Sequence, residues 1–358
     1  MEYLCDTDKQ ETERLWRSCF SEDSESFVQY YYKEKTRDNR ILVKKDNGIV
    51  ISMVQYNPYR IRMKNRDWEL YYLVGVSTEE SRRREGHFRE IFRKMLADME
   101  AEKKPITYLV PVNPAVYAPM GFTFIGNLPV TKLTEEAERE LKATKCRDVL
   151  EDCERAAAYM EEWLSARYEM YTRRDAGYVS RLLKELASEN GYMEFLWCGD
   201  ELAGLRAEWG TEIREQRLLY TNEKYVVRTG EKPWNMARLT NITSFLESFC
   251  LKEEAESVMP VRIGIHMEDS LIDQNSGNFL WTVQKGISQL VRLEEAASIT
   301  GQSGEIADMQ LSATPEELVS WLFGYRKKEE IWPELDEKAG FLLGQIDTVQ
   351  GVFLDEIV

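Results

Sequence analysis

The chain reads as an α+β protein with mixed, mostly antiparallel sheets, and three observations carry that reading. Apolar runs at residues 41–43, 49–56 and 68–78 follow one another closely, with Asp46-Asn47-Gly48 between the first two as a hairpin turn. One strongly periodic helix then stands between an Arg-rich turn and a further apolar run, Ile106 to Val110. A meander that feeds a single strand–turn–helix–strand unit builds a mixed sheet, whereas a doubly wound parallel sheet alternates strands and helices throughout. At 358 residues the chain exceeds one ordinary core, so two or three domains are expected.

The elements follow in order. Leu15, Trp16 and Cys19 mark a short helix face, and the acid and serine cluster from Ser21 to Ser26 reads as a loop. The aromatic stretch Phe27 to Tyr32 reads as a second short helix. After the three strands, Phe88, Ile91, Phe92, Met95, Leu96 and Met99 recur at helical spacing, with Arg89, Glu90, Arg93, Lys94, Asp98 and Glu100 on the other face. From 131 to about 170 the chain is strongly charged and helical. A helix over Ala176 to Ser188, a strand pair across Cys198-Gly199-Asp200-Glu201, a strand near Arg217 to Tyr220 and a helix end at Phe245 to Leu251 come next. The run Lys252 to Ser257 breaks the composition. Beyond it, Val261 to Ile265 and Gly277 to Val283 are strand-like. Thr314-Pro315-Glu316-Glu317 opens a helix, with threonine as cap, proline at the first turn and Glu317 closing a capping box. The apolar tail from Val352 is expected to be tied into a core.

Bulk properties exclude some functions. A net charge of -16 opposes binding to a nucleic-acid backbone or to an anionic membrane surface, both of which need a basic face. It fits a cationic or neutral substrate, or solubility alone. Cysteines at 5, 19, 146, 153, 198 and 250 form no Cys-x-x-Cys pair, as expected of reduced thiols in a cytoplasmic protein. The N-terminus has no basic and apolar signal pattern, and no apolar run approaches the ~20 residues that span a bilayer. There is no metal-ligand spacing, Walker loop or Ser/His/Asp order.

The stretch from Val74 to Gly126 carries the chemistry. A strand ends at Val76-Ser77-Thr78, an Arg82-Arg83-Arg84-Glu85-Gly86 turn comes after it, and a helix starts at His87. A helix start offers three or four free backbone N–H groups, and its dipole adds roughly 0.3–1 kcal/mol for an anion. Gly86 lets the backbone approach closely, while Arg83 and Arg84 offer charge-assisted contacts to phosphate oxygens. His87 sits where it reaches a diphosphate or faces solvent. The free strand edge at Val76 and Thr78 suits an extended, amide-bearing arm. The turn alone reads first as a solvated Arg-rich corner; its flanking strand, helix and downstream tyrosine reverse that order in favour of the anion site. Tyr117, in Asn113-Pro114-Ala115-Val116-Tyr117-Ala118-Pro119-Met120-Gly121-Phe122, is a proton donor at neutral pH and a candidate acid for a departing thiolate.

At these residues the chain resembles the GNAT acetyltransferases, and within them the enhanced-intracellular-survival (Eis-like) subfamily. The signature Arg/Gln-x-x-Gly-x-Gly/Ala appears as Arg83-Arg84-Glu85-Gly86-His87-Phe88, with Phe88 in place of the last small residue. Gly75-Val76-Ser77-Thr78 matches the subfamily's strand entry, Tyr117-Ala118-Pro119-Met120-Gly121-Phe122 its tyrosine motif, and Glu80 stands where relatives carry proline. The resemblance implies a catalytic GNAT domain over 1–130, a second, degenerate GNAT-like domain over 131–256 that ends near Trp234 to Ile242, and a sterol-carrier-protein-like domain over 257–358.

The function implied by the resemblance is that of an acetyl-CoA-dependent N-acetyltransferase acting on a primary amine of a cationic small molecule, aminoglycoside-like or polyamine. It implies no metal, a cytoplasmic location and a homo-oligomer. Val76, Thr78, Arg83, Arg84, Gly86 and His87 would bind the cofactor. Glu22, Asp23 and Phe27 would line the acceptor pocket, although an acidic surface loop is the plainer reading of each acid alone. Tyr117 would be the general acid, and the terminal carboxylate on Val358 would help deprotonate the amine. An amine of pKa about 10.4 loses its proton at pH 7 at a cost of roughly 4–5 kcal/mol, so a base or a less basic acceptor is required. A non-catalytic acyl-CoA or lipid sensor and a protein lysine acetyltransferase are the alternatives.

Overall fold

The computed structural model describes residues 1–255, 259–293 and 307–357. The expected boundary at 256–257 and Val358 lie outside these. The first part of the chain forms β1 (Glu2–Tyr3), α1 (Glu13–Cys19), α2 (Glu25–Tyr30), β2 (Arg40–Asp46), β3 (Ile49–Met63), β4 (Arg66–Thr78), α3 (His87–Ala101), β5 (Ile106–Leu109), α4 (Pro114–Tyr117) and β6 (Thr123–Leu133). The β2–β3 turn has Asn47 at φ 49° and Gly48 at φ 78°, the mirror-type geometry that matches strand twist. β1 to β4 pair antiparallel, and α3 carries the chain across to β5, which lies parallel to β4. Ile91, Phe92, Met95, Leu96 and Met99 of α3 are buried, as their spacing predicts.

The middle of the chain forms α5 (Glu135–Glu140), β7 (Lys142–Lys145), α6 (Leu150–Ser165), β8 (Met170–Thr172), α7 (Ala176–Ser188), β9 (Tyr192–Cys198), β10 (Glu201–Trp209), β11 (Glu215–Thr221) and β12 (Val226–Leu239). A second, antiparallel sheet has the order β11-β10-β9-β7. The last part forms α8 (Ile242–Leu246), β13 (Val261–Met267), β14 (Gly277–Gln284), β15 (Ile287–Arg292), β16 (Met309–Ala313), α9 (Pro315–Leu322), α10 (Lys328–Ile331), α11 (Glu337–Gly344) and β17 (Val352–Phe353). Its sheet runs β15-β14-β13-β16, with the last pair parallel. The Thr314 capping box is present. The helix expected to end near Leu251 is instead the short α8.

The sheets do not follow the chain as three segments in series. β12 lies between β5 and β6, and β8 and β17 add to the far end of β3, so the first sheet draws strands from all three parts. The residues read as the end of a second unit therefore complete the first sheet. The physical reason is that β5 has four residues and one register partner on β4, Tyr72 with Tyr108, which leaves its other edge to be paired. β12 pairs that edge from Leu239 to Met236, and Ile106, Tyr108, Ala237 and Leu239 share one buried cluster with the third sheet.

Candidate active site

The site begins with an irregularity in β4. Gln55 pairs with Val74 and Met53 with Ser77, so two steps along β3 face three along β4, a bulge at Gly75-Val76. Gly75 has φ 60°, and a Cβ there would lie 2.6 Å from the Trp16 ring, so only glycine fits. Beyond Tyr72, β4 and β5 are not in register, and the sheet opens as a fork with Val76 on its wall.

The chain then enters the Arg-rich turn. The Thr78 hydroxyl contacts that of Ser52 at 2.8 Å, and Arg83 Nε donates to the Thr78 carbonyl at 3.3 Å. Arg83, Arg84 and Gly86 are exposed, with Arg84 at φ 69° and Gly86 at φ 89°. A Cβ on Gly86 would meet nothing within 4 Å, and Gly86 caps α3 with no side-chain hydrogen bond. The start of α3 thus has no side-chain cap and stands next to two exposed arginines, which fits an anion. Arg82 is occupied by Asp46 at 2.6 Å and Glu85 at 2.9 Å.

His87 departs from expectation. It is buried, with Nδ1 2.9 Å from Lys44 Nζ and Nε2 3.0 Å from Glu85. One ring nitrogen is engaged by Lys44 of β2 and the other by Glu85 of the turn, so the ring braces the helix start and has neither nitrogen free for a phosphate.

Tyr117 ends α4, whose start is fixed by Asn113 Oδ1 accepting from the Ala115 N–H at 3.0 Å and by Pro114. Its ring packs among Phe88, Phe92 and Phe122 at centroid distances of 6.2, 6.3 and 6.0 Å. Among the described residues its hydroxyl has no hydrogen-bond partner, and burial pushes its pKa above the usual phenol value. The next turn is braced from below. Gly121 (φ 77°) leaves room for Arg238, which donates to the Met120 carbonyl at 2.8 Å and to Asp269 at 2.6 Å.

A cleft of about 690 Å³ lies between the fork and Tyr117, and Thr78, Arg83, Arg84, Gly86 and His87 are not in its lining. Glu22, Asp23 and Phe27 line it together with Val76 and Tyr117, so five of the expected residues meet in one cavity. Asp23 accepts from Trp16 Nε1 at 2.7 Å; burial raises its pKa, with Glu22 and Glu189 adding to the shift and the Trp16 bond opposing it. Sequence reasoning misses the wall from the middle of the chain: Glu189 at the end of α7, Trp209 at the end of β10, Glu212 and Ile213 in the β10–β11 turn, and Glu215 at the start of β11. Only packing brings them there, and the nearest sequence signal is the turn residue Gly210. The cleft lining has five acids, Glu22, Asp23, Glu189, Glu212 and Glu215, and no Lys, Arg or His.

The chain's tail reaches the same cleft. Arg174, fully buried, pairs with Asp355 and, at 2.7 Å, with Glu356. Tyr72 donates to the Ile357 carbonyl at 2.8 Å, and Ile357 lines the cleft. An adjoining cavity of equal size shares Trp209, Glu215 and Ile357 as a wall and carries none of the expected site residues. Among the described residues no group of three or more His, Cys, Asp or Glu is placed to hold a metal, and no helix is long and apolar enough to cross a membrane.

Comparison with known proteins bears on this geometry. Residues 2–125 match the family model of the acetyltransferase (GNAT) domain. A probable N-acyltransferase of unknown function from Enterococcus faecalis V583 superimposes with TM-score 0.78 at 14% identity, covering 100% of this chain and 98% of its own. A GCN5-related N-acetyltransferase from Anabaena variabilis ATCC 29413 gives TM-score 0.73 at 14% identity, with 100% of both chains covered. Eis1 from Mycobacterium abscessus gives 0.71 at 11% identity, covering 100% of this chain and 99% of its own. These likenesses show a shared fold over the whole chain. No curated protein matches the sequence. The forked sheet and the uncapped helix start agree with that match: residues 2–125 are a GNAT acetyltransferase domain, and N-acetyltransferase is the enzyme class that this domain carries.

Proposed function

We propose that the protein moves an acetyl group from acetyl-CoA to a primary amine of a cationic small molecule, aminoglycoside-like or polyamine, by direct attack in a ternary complex. The observation that carries this reading is the cleft itself: fork, Tyr117 and a lining whose charged residues are all acids share one cavity. Acetyl-CoA, when bound, supplies the activated thioester. Arg83, Arg84, Gly86 and the first N–H groups of α3 would hold its diphosphate, and the free edge at Val76 and Thr78 its amide-bearing arm. The His87 ring is left out of this set; only its backbone N–H belongs to it.

Tyr117 holds a proton at its hydroxyl at neutral pH, the more firmly for its burial, and is the group that releases it to a thiolate. The acids attract an ammonium group but also raise its pKa, so binding and deprotonation oppose each other. The carboxylate of Val358 is the proposed base. It lies outside the described residues, and its neighbour Ile357 lines the cleft. The division at 130 and 256, as segments of sequence that share the first sheet, a sterol-carrier-like third part, a homo-oligomer and a cytoplasmic location belong to the same proposal; free thiols at all six cysteines support the last.

The test is thiol release from acetyl-CoA with a panel of aminoglycosides, polyamines and lysine peptides. Turnover confined to small cationic amines is expected. Coenzyme A binding without turnover on any of them would establish a sensor instead, and a preference for peptides would establish a protein lysine acetyltransferase.

A further inference from the structure

One wall of the acceptor cleft arrives from the far end of the chain, and its last described step hangs on one hydroxyl. Val352 and Phe353 pair with Met170 and Tyr171, and Asp355 and Glu356 are neutralised by Arg174. After that double anchor, the Ile357 carbonyl accepts from Tyr72 at 2.8 Å. The Ile357 side chain packs on the cluster that holds Trp16 and Phe27. Tyr72 is itself the β4 residue in register with β5, at the point where the fork opens. One buried side chain therefore sits at the apex of the fork and grips the segment that walls the cleft.

We propose that Tyr72 is a positioning residue for the acceptor: by holding the Ile357 carbonyl it fixes the tail as a preformed wall of the cleft. The inference rests on the reading that this cleft takes the amine. A wall ordered in advance spares the acceptor the entropy of ordering it. Burial pushes the Tyr72 phenol well above its ordinary pKa, so it remains a donor over the working range. Tyr72→Phe removes one oxygen and keeps the ring contacts, and the Arg174 anchor still holds Asp355 and Glu356. The loss is thus confined to the chain end from Ile357 onward.

The test compares wild type and Tyr72→Phe by steady-state kinetics, using whichever panel amine the wild type turns over best. Hydrogen exchange of the peptide spanning 350–357 is measured alongside. The expected result is an amine KM raised about fivefold, the worth of one net hydrogen bond. Tail exchange is faster, and the acetyl-CoA KM and thermal midpoint are unchanged. An unchanged amine KM overturns the proposal whatever the exchange shows. Both KM values moving together with the thermal midpoint also overturn it, because that is what a merely structural residue does. If the wild type turns over no amine, the transferase reading fails and Tyr72's role falls with it. If the wild type works and Tyr72→Phe equals it, only the role of Tyr72 fails.

Discussion

The Arg-rich turn and the cleft beside it, the two ends of the candidate site, are built in opposite ways. The end proposed to hold the phosphates comes from one stretch, Val74 to Gly86; its cations Arg83 and Arg84 are exposed and outside the cleft lining, and local backbone geometry sets it. The acceptor end is assembled from Trp16 to Phe27, Tyr117, Glu189, the β10–β11 turn and Ile357, and its charge is negative. A contiguous motif keeps its shape as long as its strand and helix form. An assembled wall keeps its shape only if separate sheets and the tail stay packed. Substitutions at the two ends should therefore separate cleanly in kinetics.

The largest effect is expected where the ends meet. Tyr117→Phe should lower kcat about 10²-fold or more with both KM values little changed, measured by thiol release at saturation. Full turnover by that variant would remove Tyr117 from the chemistry. Next comes the contiguous end alone. Arg84→Ala should raise the acetyl-CoA KM about tenfold and weaken its salt dependence, leaving the amine KM in place. A rise in both would show that the ends are not separate.

At the assembled end the probe is pH. The Asp23 carboxyl is held above its ordinary range, so as pH falls it takes up a proton before a free aspartate does. The amine KM should rise over that interval while the acetyl-CoA KM does not. The stability sign is opposite. A carboxyl whose folded pKa is raised destabilises the fold when ionised, so stability lost on going to neutral pH returns as pH falls through the folded value. Asp23→Asn should flatten the KM profile and slightly raise the thermal midpoint at neutral pH. A profile that keeps its acid limb in this variant assigns the limb to another group. The smallest kinetic effect is expected at His87. His87→Asn should leave the acetyl-CoA KM unchanged and lower the thermal midpoint, because the ring is already spent on Lys44 and Glu85.

Legibility in the sequence tracks the same contrast. The Asn47-Gly48 turn, the apolar face of α3, the span of α7 and the Thr314 capping box are readable because each is set by residues within a few positions. Arg83, Arg84 and Gly86 are readable as an exposed turn before a helix start for the same reason. The role of His87 is not, because its sequence neighbours do not reveal that Lys44 comes across from β2. Glu189, Glu212 and Glu215 carry no signal at all; they are acids on a chain rich in acids until packing gathers them. The placement of β12 between β5 and β6 is a choice among sheet edges, and strand composition does not encode which edge is taken.

That placement also sets an order of events during synthesis. A growing chain makes β5 and β6 early and must carry their inner edges bare until Val226–Leu239 has been translated and threaded between them. The catalytic sheet cannot close on the ribosome ahead of the middle of the chain, and its folding is slowed by long-range strand pairing. In that interval an unpaired pair of edges is open to wrong partners, including those of neighbouring nascent chains. The acetyltransferase domain is contiguous as a motif and discontinuous as an object that folds.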